Sequence, residues 1–145
     1  MEQIELDNCF LAKKHIVILA KKCFNLKSIF DLILSGQKTI ESRWSMNKIA
    51  PYEKVKAGDI LLLKEMGQPV TATAFVEKTE FFKLTPEIVN ELRIKFGKQI
   101  GTDKEEDWKS TLNKKYGSLI WIKDVKEITP MQVKRSNGSG WIILN

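Results

Sequence analysis

Eight residues in the first third of the chain carry the side chains best suited to hold a ligand: Gly36-Gln37-Lys38-Thr39-Ile40-Glu41-Ser42-Arg43. On an extended backbone successive side chains alternate, so Glu41 and Arg43, two apart, point to the same side. Lys38, in the turn just before, leans over that side. Arginine presents a planar fork of donors, lysine a compact point charge, and an ionised carboxylate only accepts. Three such groups in one spot fix an anionic or amide-bearing ligand. The other reading of the same residues is an exposed Glu41–Arg43 ion pair, worth about 1 kcal/mol or less. The spacing leaves both open.

The elements that must position this segment follow from periodicity. Residues 15–20, His15-Ile-Val-Ile-Leu-Ala20, are rich in β-branched side chains and bounded by lysines, which predicts a buried strand. Asn25 is placed to cap a helix in which Leu26, Ile29, Phe30 and Ile33 share one face, with Gly36 as its stop. Thr39 to Trp44 then reads as a strand, with Thr39, Glu41 and Arg43 on one face and Ile40, Ser42 and Trp44 on the other. By that alternation Trp44 belongs to the core.

Ala57-Gly58-Asp59 leads into an apolar strand from Ile60 to Lys64, and Gly67-Gln68-Pro69 is a turn. Val70, Ala72, Ala74 and Val76 alternate with Thr71, Thr73, Phe75 and Glu77, the pattern of a half-buried strand. Thr85-Pro86 predicts a helix N-terminus, with Ile88, Leu92 and Phe96 on one face before Gly97. Asp103 with Glu106 resembles a capping box for a second helix carrying Trp108, Leu112 and Tyr116 up to Gly117. Strands at Ser118–Lys123 and Trp141–Leu144 follow, separated by a break at Pro130 and a polar turn at 136–140. Trp121, Trp141 and Trp108 are expected in the core. The chain reads as one α+β domain, a small β-barrel with a few helices, and has no internal repeat or low-complexity linker.

Composition narrows the classes of function. At 145 residues, 43% hydrophobic and 29% charged, the chain is long enough for one packed core and is not of disordered composition. It has no run of 18 apolar residues, so no membrane span is expected. Acidic residues at the N-terminus and the short apolar run flanked by lysines do not fit a signal peptide, and a cytoplasmic protein is expected. Cys9, Cys23 and the lone His15 supply no zinc-type ligand set, so neither a metal nor another cofactor is expected, and both cysteines are read as reduced. The net charge of +6 admits a polyanionic partner. Only three of the 24 basic residues are arginine: Arg43, Arg93 and Arg135. The lysine pairs 13–14, 21–22 and 114–115 read as solvated edges.

Gly36-x-Lys38-x-x-Glu41-x-Arg43 resembles the GxKxxExR signature of the ASCH domain, a family of small proteins with a PUA-like β-barrel. The likeness extends over about residues 15–145, through the helix ending at Ser35-Gly36, the Val55–Asp59 turn, Phe81-Phe82, Leu84-Thr-Pro, Tyr116 to Trp121 and the closing Gly140-Trp141. It implies a single PUA-like domain over 1–145, with 1–14 an N-terminal extension and peripheral helices around the barrel. It also implies binding of RNA or a nucleotide in a cleft beside the motif, with Gly36, Lys38, Glu41 and Arg43 as the matching ligand-binding positions; Lys64 is a further ligand-binding candidate. Arg43 and Lys38 suit phosphate, and Glu41 suits the exocyclic amine of a base.

Some ASCH-like proteins are similar to amidohydrolases of N-acetylated cytidine, which use a lysine, a threonine three residues later and a distant glutamate. Lys38 matches the lysine, the threonine's place holds Glu41, and Thr39 is out of register. Lys38 and Glu41 are the catalytic candidates if the chain is an enzyme of this kind. Other relatives are ribonucleases, for which Lys38, Tyr52 and Lys64 are the candidates.

Overall fold

The computed structural model describes residues 12–21, 23–24, 26–134 and 139–144. In chain order its elements are β1 (Lys14–Leu19), β2 (Cys23–Phe24), β3 (Lys27–Ser28), helix α1 (Ile29–Leu34), β4 (Ile40–Ser45), β5 (Ile60–Glu65), β6 (Val70–Lys83), helix α2 (Pro86–Ile100), a 3₁₀ segment (Glu105–Asn113), β7 (Tyr116–Met131) and β8 (Trp141–Leu144). Six strands form one mixed sheet in the order β4-β7-β6-β5-β1-β8, in which β1 and β5 run parallel. The short β2–β3 pair stands apart.

β1 is buried from His15 to Leu19, which is why it reads as a continuous apolar run rather than an alternating one. Val17 and Leu19 join Leu61, Leu63, Ala72, Ala74, Val76, Ile120 and Trp141 in the main core, closed by Phe30 and Ile33 of α1. Ile16 and Ile18 pack with Leu62 and Val70 in a separate cluster, as alternation requires. A further cluster sits between the β4–β7 ribbon and α2, where Ile40 and Leu119 meet Val89, Leu92, Ile100 and Trp108. The outer strands of the sheet, β4 and β8, are brought together by Arg43. Its Nη2 donates to the carbonyl of Ile18 at 3.0 Å, and its Nη1 to that of Gly140, just ahead of β8, at 3.1 Å. The result is a small barrel with peripheral helices, an α+β architecture.

The structure corrects four expectations. Helix α1 begins at Ile29, capped by Ser28, whose Oγ accepts from Asp31 N at 3.0 Å; Leu26 is 99% exposed and lies on no helical face. Asn25, the expected cap, lies outside the described residues. Helix α2 continues through Gly97 to Ile100 and turns at Gly101, whose φ of 147° glycine adopts readily. Gly97 is a packing glycine: a Cβ there would stand 2.7 Å from the Cα of Asp103.

The expected second helix is a 3₁₀ segment. With three residues per turn it buries Trp108 and Thr111, three apart, and leaves Leu112 exposed. Asp103 does not cap it; instead Thr102 Oγ1 accepts from Lys104 N and donates to Asp107 Oδ2 at 2.6 Å. Tyr116 belongs to β7. Finally, β7 runs through Pro130. β4 pairs β7 only from Tyr116 to Trp121, so Pro130 lies where β6 is the one bonded neighbour and a missing N–H is tolerated. Of the polar turn at 136–140, residues 136–138 lie outside the described residues, as does most of the expected extension 1–14. Lys14 opens β1 opposite Ile60 and Leu144.

Candidate functional site

The site is built from the turn that follows α1. Ser35 N and Gly36 N bond back to Asp31 and Ile33 carbonyls, and Gly36 takes φ +80°, which releases the chain from the helix. Lys38 N then bonds Leu32 O and Thr39 N bonds Gln99 O, both at 2.9 Å, so the start of β4 docks on the C-terminal end of α2. Lys38 completes that joint. Its ammonium donates to Ile40 O at 2.8 Å and to Ile100 O, the last carbonyl of α2, where a cation is favoured by the helix dipole. Lys38 is 5% exposed, and burial lowers its proton affinity from the ordinary 10.5; Arg43 adds to the lowering and Glu41 opposes it.

Glu41 is 7% exposed. Its Oε1 accepts from Ser42 N at 2.9 Å and lies 3.6 Å from Lys38 Nζ. Its Oε2 lies 3.9 Å from Arg43 Nη2, is buried, and has no hydrogen-bond partner. Leaving a buried acceptor without a hydrogen bond is costly, of order 1–3 kcal/mol and more for a charged group, and the Arg43 guanidinium 3.9 Å away offsets part of that cost.

Arg43 is held from behind by a buried relay. Its guanidinium carbon sits 5.3 Å from the Trp141 ring centroid, and Trp141 Nε1 donates to His15 Nδ1 at 3.0 Å. Nδ1 therefore accepts, and Nε2 carries the hydrogen donated to Asp59 Oδ2 at 2.8 Å. Backbone amides of Lys13 and Lys56 complete the shell of Asp59.

A cavity of about 340 Å³ opens beside these groups, within the size range of small-molecule sites. Lys38, Glu41 and Arg43 line it together with Trp44, Trp108 and Thr111. It lies along β4, an outer strand of the sheet, so both faces of that strand contribute: Glu41 and Arg43 from one, Ser42 and Trp44 from the other. Trp44 packs with Trp108 at 5.3 Å between centroids, which makes the pair both core and cavity wall. Trp141 is core; Trp121 is half-buried against Phe96, with Lys78 Nζ 4.2 Å above its ring.

The motif's charged residues are thus brought together, while the other candidates fall elsewhere. Gly36 shapes the turn and is not part of the wall. Lys64, buried in β5 between Ile18 and Val70, does not line the cavity. Thr39 also stands outside the lining, and Tyr52 packs against Tyr116 and Phe81, at 5.0 and 5.6 Å. The partners that sequence reasoning did not find are the carbonyls of Ile18, Ile100 and Gly140, and the wall from Thr102 to Thr111. Carbonyls leave no trace in residue type. The signal that could have exposed the wall is the i, i+3 spacing of Trp108 and Thr111. Among the described residues no group of three or more His, Cys, Asp or Glu side chains gathers, and no helix is long and apolar enough to cross a membrane.

No protein-family model and no curated protein sequence matches this chain. Its fold is similar to that of the crystal structure of ASCH from Zymomonas mobilis, with a TM-score of 0.61 over 83% of this chain and 74% of that one, at 16% identity. Crystal structures of two single-residue variants of the same protein match with TM-scores of 0.60 at 17% identity, again over 83% of this chain. The architecture is that of an ASCH domain.

Proposed function

We propose that this chain is an ASCH-family protein that binds RNA or a nucleotide, with one base inserted in the cavity beside Lys38, Glu41 and Arg43. The observation that carries the reading is the Oε2 of Glu41, a carboxylate oxygen of the cavity wall that has no hydrogen-bond partner and only the 3.9 Å ion pair to Arg43, an acceptor matched to the exocyclic amine of a base. Trp44 and Trp108 supply flat apolar walls for the ring. The net charge of +6 supplies the field that draws a phosphate-bearing ligand. The role of Arg43 differs from that of a free phosphate clamp, because two of its donors are already bonded to carbonyls across the barrel; it holds the wall and sets the charge near Glu41. Titration with a short RNA and with nucleoside monophosphates at several salt concentrations tests the proposal. Binding that weakens steeply with salt supports it, and absent or salt-independent binding contradicts it.

A second reading, hydrolysis of an N-acylated cytidine, draws on Lys38, which lines the cavity beside Glu41 and whose pKa burial lowers toward the range a general base needs. It predicts release of the acyl group that Lys38→Ala abolishes; intact substrate after incubation with the native protein excludes it.

A further inference from the structure

A second cavity, of about 430 Å³, adjoins the first. The two share Leu32, Lys38, Gly101 and Thr102 in their walls, so they lie side by side across the motif lysine and the turn after α2. Their chemistry differs. The first combines aromatic walls with a buried carboxylate. The second is lined by Lys27, Lys98 and Lys104, with Asp103 as its single acid. These lysines come from three places: β3, the last turn of α2, and the residue ahead of the 3₁₀ segment. None of the three has an ion-pair partner among the described residues. Lysines from separate elements, facing one hollow and unpaired, concentrate positive potential there, and a compact ammonium suits a phosphate as a point charge.

We propose that this second cavity binds the phosphate attached to the nucleoside whose base occupies the Glu41 cavity. The proposal rests on the base-binding reading above and adds to it: the ligand is phosphorylated, and the lysines that read the phosphate lie outside the motif. Lys38 stands at the junction with its ammonium turned to the carbonyls of Ile40 and Ile100, so the phosphate contacts fall to Lys27, Lys98 and Lys104.

Calorimetric titration of the full chain with cytidine, cytidine 5′-monophosphate, cytidine 3′-monophosphate and a cytidine trinucleotide tests this. The same series is run on Lys98→Ala/Lys104→Ala, whose side chains are exposed and whose fold is checked by circular dichroism. The expected result is that a phosphorylated ligand binds about tenfold or more tightly than cytidine, and that the double variant loses this preference while keeping its affinity for cytidine. A gain already present in a monophosphate assigns the site to a free nucleotide. A gain confined to the trinucleotide assigns it to an RNA strand. Equal binding of all four ligands to the native chain, or a preference that survives the double substitution, overturns the phosphate site and leaves the base site standing. Phosphate-dependent binding without any affinity for cytidine supports the phosphate site and counts against the base site. Binding of none of the four overturns both.

Discussion

The guanidinium of Arg43 donates to the carbonyl of Gly140, 97 residues further along the chain, and thereby joins the two outer strands of the barrel sheet. The same carbonyl accepts from Ile18 N at 3.0 Å, and the second arm of Arg43 reaches Ile18 O. A Cβ on Gly140 would stand 2.9 Å from Arg43 Nη1, so any larger residue there would shift the tip of the guanidinium.

Arg43→Ala removes two charge-assisted hydrogen bonds across this seam, and urea unfolding is expected to show a loss of about 2–4 kcal/mol. Arg43→Lys is expected to recover only part of it, since a single ammonium does not reproduce the fork. A change under about 0.5 kcal/mol for Arg43→Ala, the size expected of an exposed ion pair, contradicts the seam.

His15 and Trp141 form one buried unit. His15→Leu leaves the Trp141 indole N–H and an Asp59 carboxylate oxygen each short of a partner, at an expected cost of about 1–3 kcal/mol. Trp141→Phe removes the donor that His15 satisfies. The two substitutions together are expected to cost measurably less than the sum of the singles, and strict additivity in a double-mutant cycle rules the coupling out.

Lys38 gives the fold a dependence on alkaline pH. Burial holds its pKa below the ordinary 10.5, so the unfolded chain keeps a proton that the folded chain has released. Stability contributed by this site therefore rises with pH from the folded-state pKa up to 10.5, and the burial penalty on the cation is fully present below that window. In Lys38→Met the rise disappears. Unfolding free energies that run parallel for the two proteins from neutral pH to 10.5 contradict the assignment.

Gly117 lies opposite Trp44 in the β4–β7 pairing, and a Cβ there would stand 2.8 Å from the indole ring. Gly117→Ala is expected to displace Trp44 from the cavity wall and to weaken nucleotide binding more than it lowers the unfolding midpoint. Unchanged affinity shows that Trp44 does not shape the ligand's space.

The elements whose residues carry a local signal were legible in sequence. Residues 70–76 alternate because one side faces the core, and Thr85-Pro86 starts a helix because a hydroxyl and a fixed φ suit its first turn. The motif's charges could be placed on one side of β4 from alternation alone. What escaped was set by remote partners. Gly97 resembles a helix stop until Asp103 is seen packed on it. Pro130 resembles a strand break until β4 is seen to end before reaching it. The use of Arg43 depends on Ile18 and Gly140, which meet it only when the sheet curls. The burial of Lys38 depends on Ile100 at the end of α2, whose carbonyl it meets from 62 residues away in sequence.

The central claim, that Glu41 Oε2 receives the amine of a base, is tested most directly by comparing cytidine and uridine monophosphates on the native chain and on Glu41→Gln. The account predicts that the native protein binds the cytidine nucleotide more tightly by about tenfold, as expected for one hydrogen bond to a charged acceptor, and that Glu41→Gln narrows the gap. Equal affinity of the native protein for the two nucleotides, or a gap that Glu41→Gln leaves intact, contradicts it.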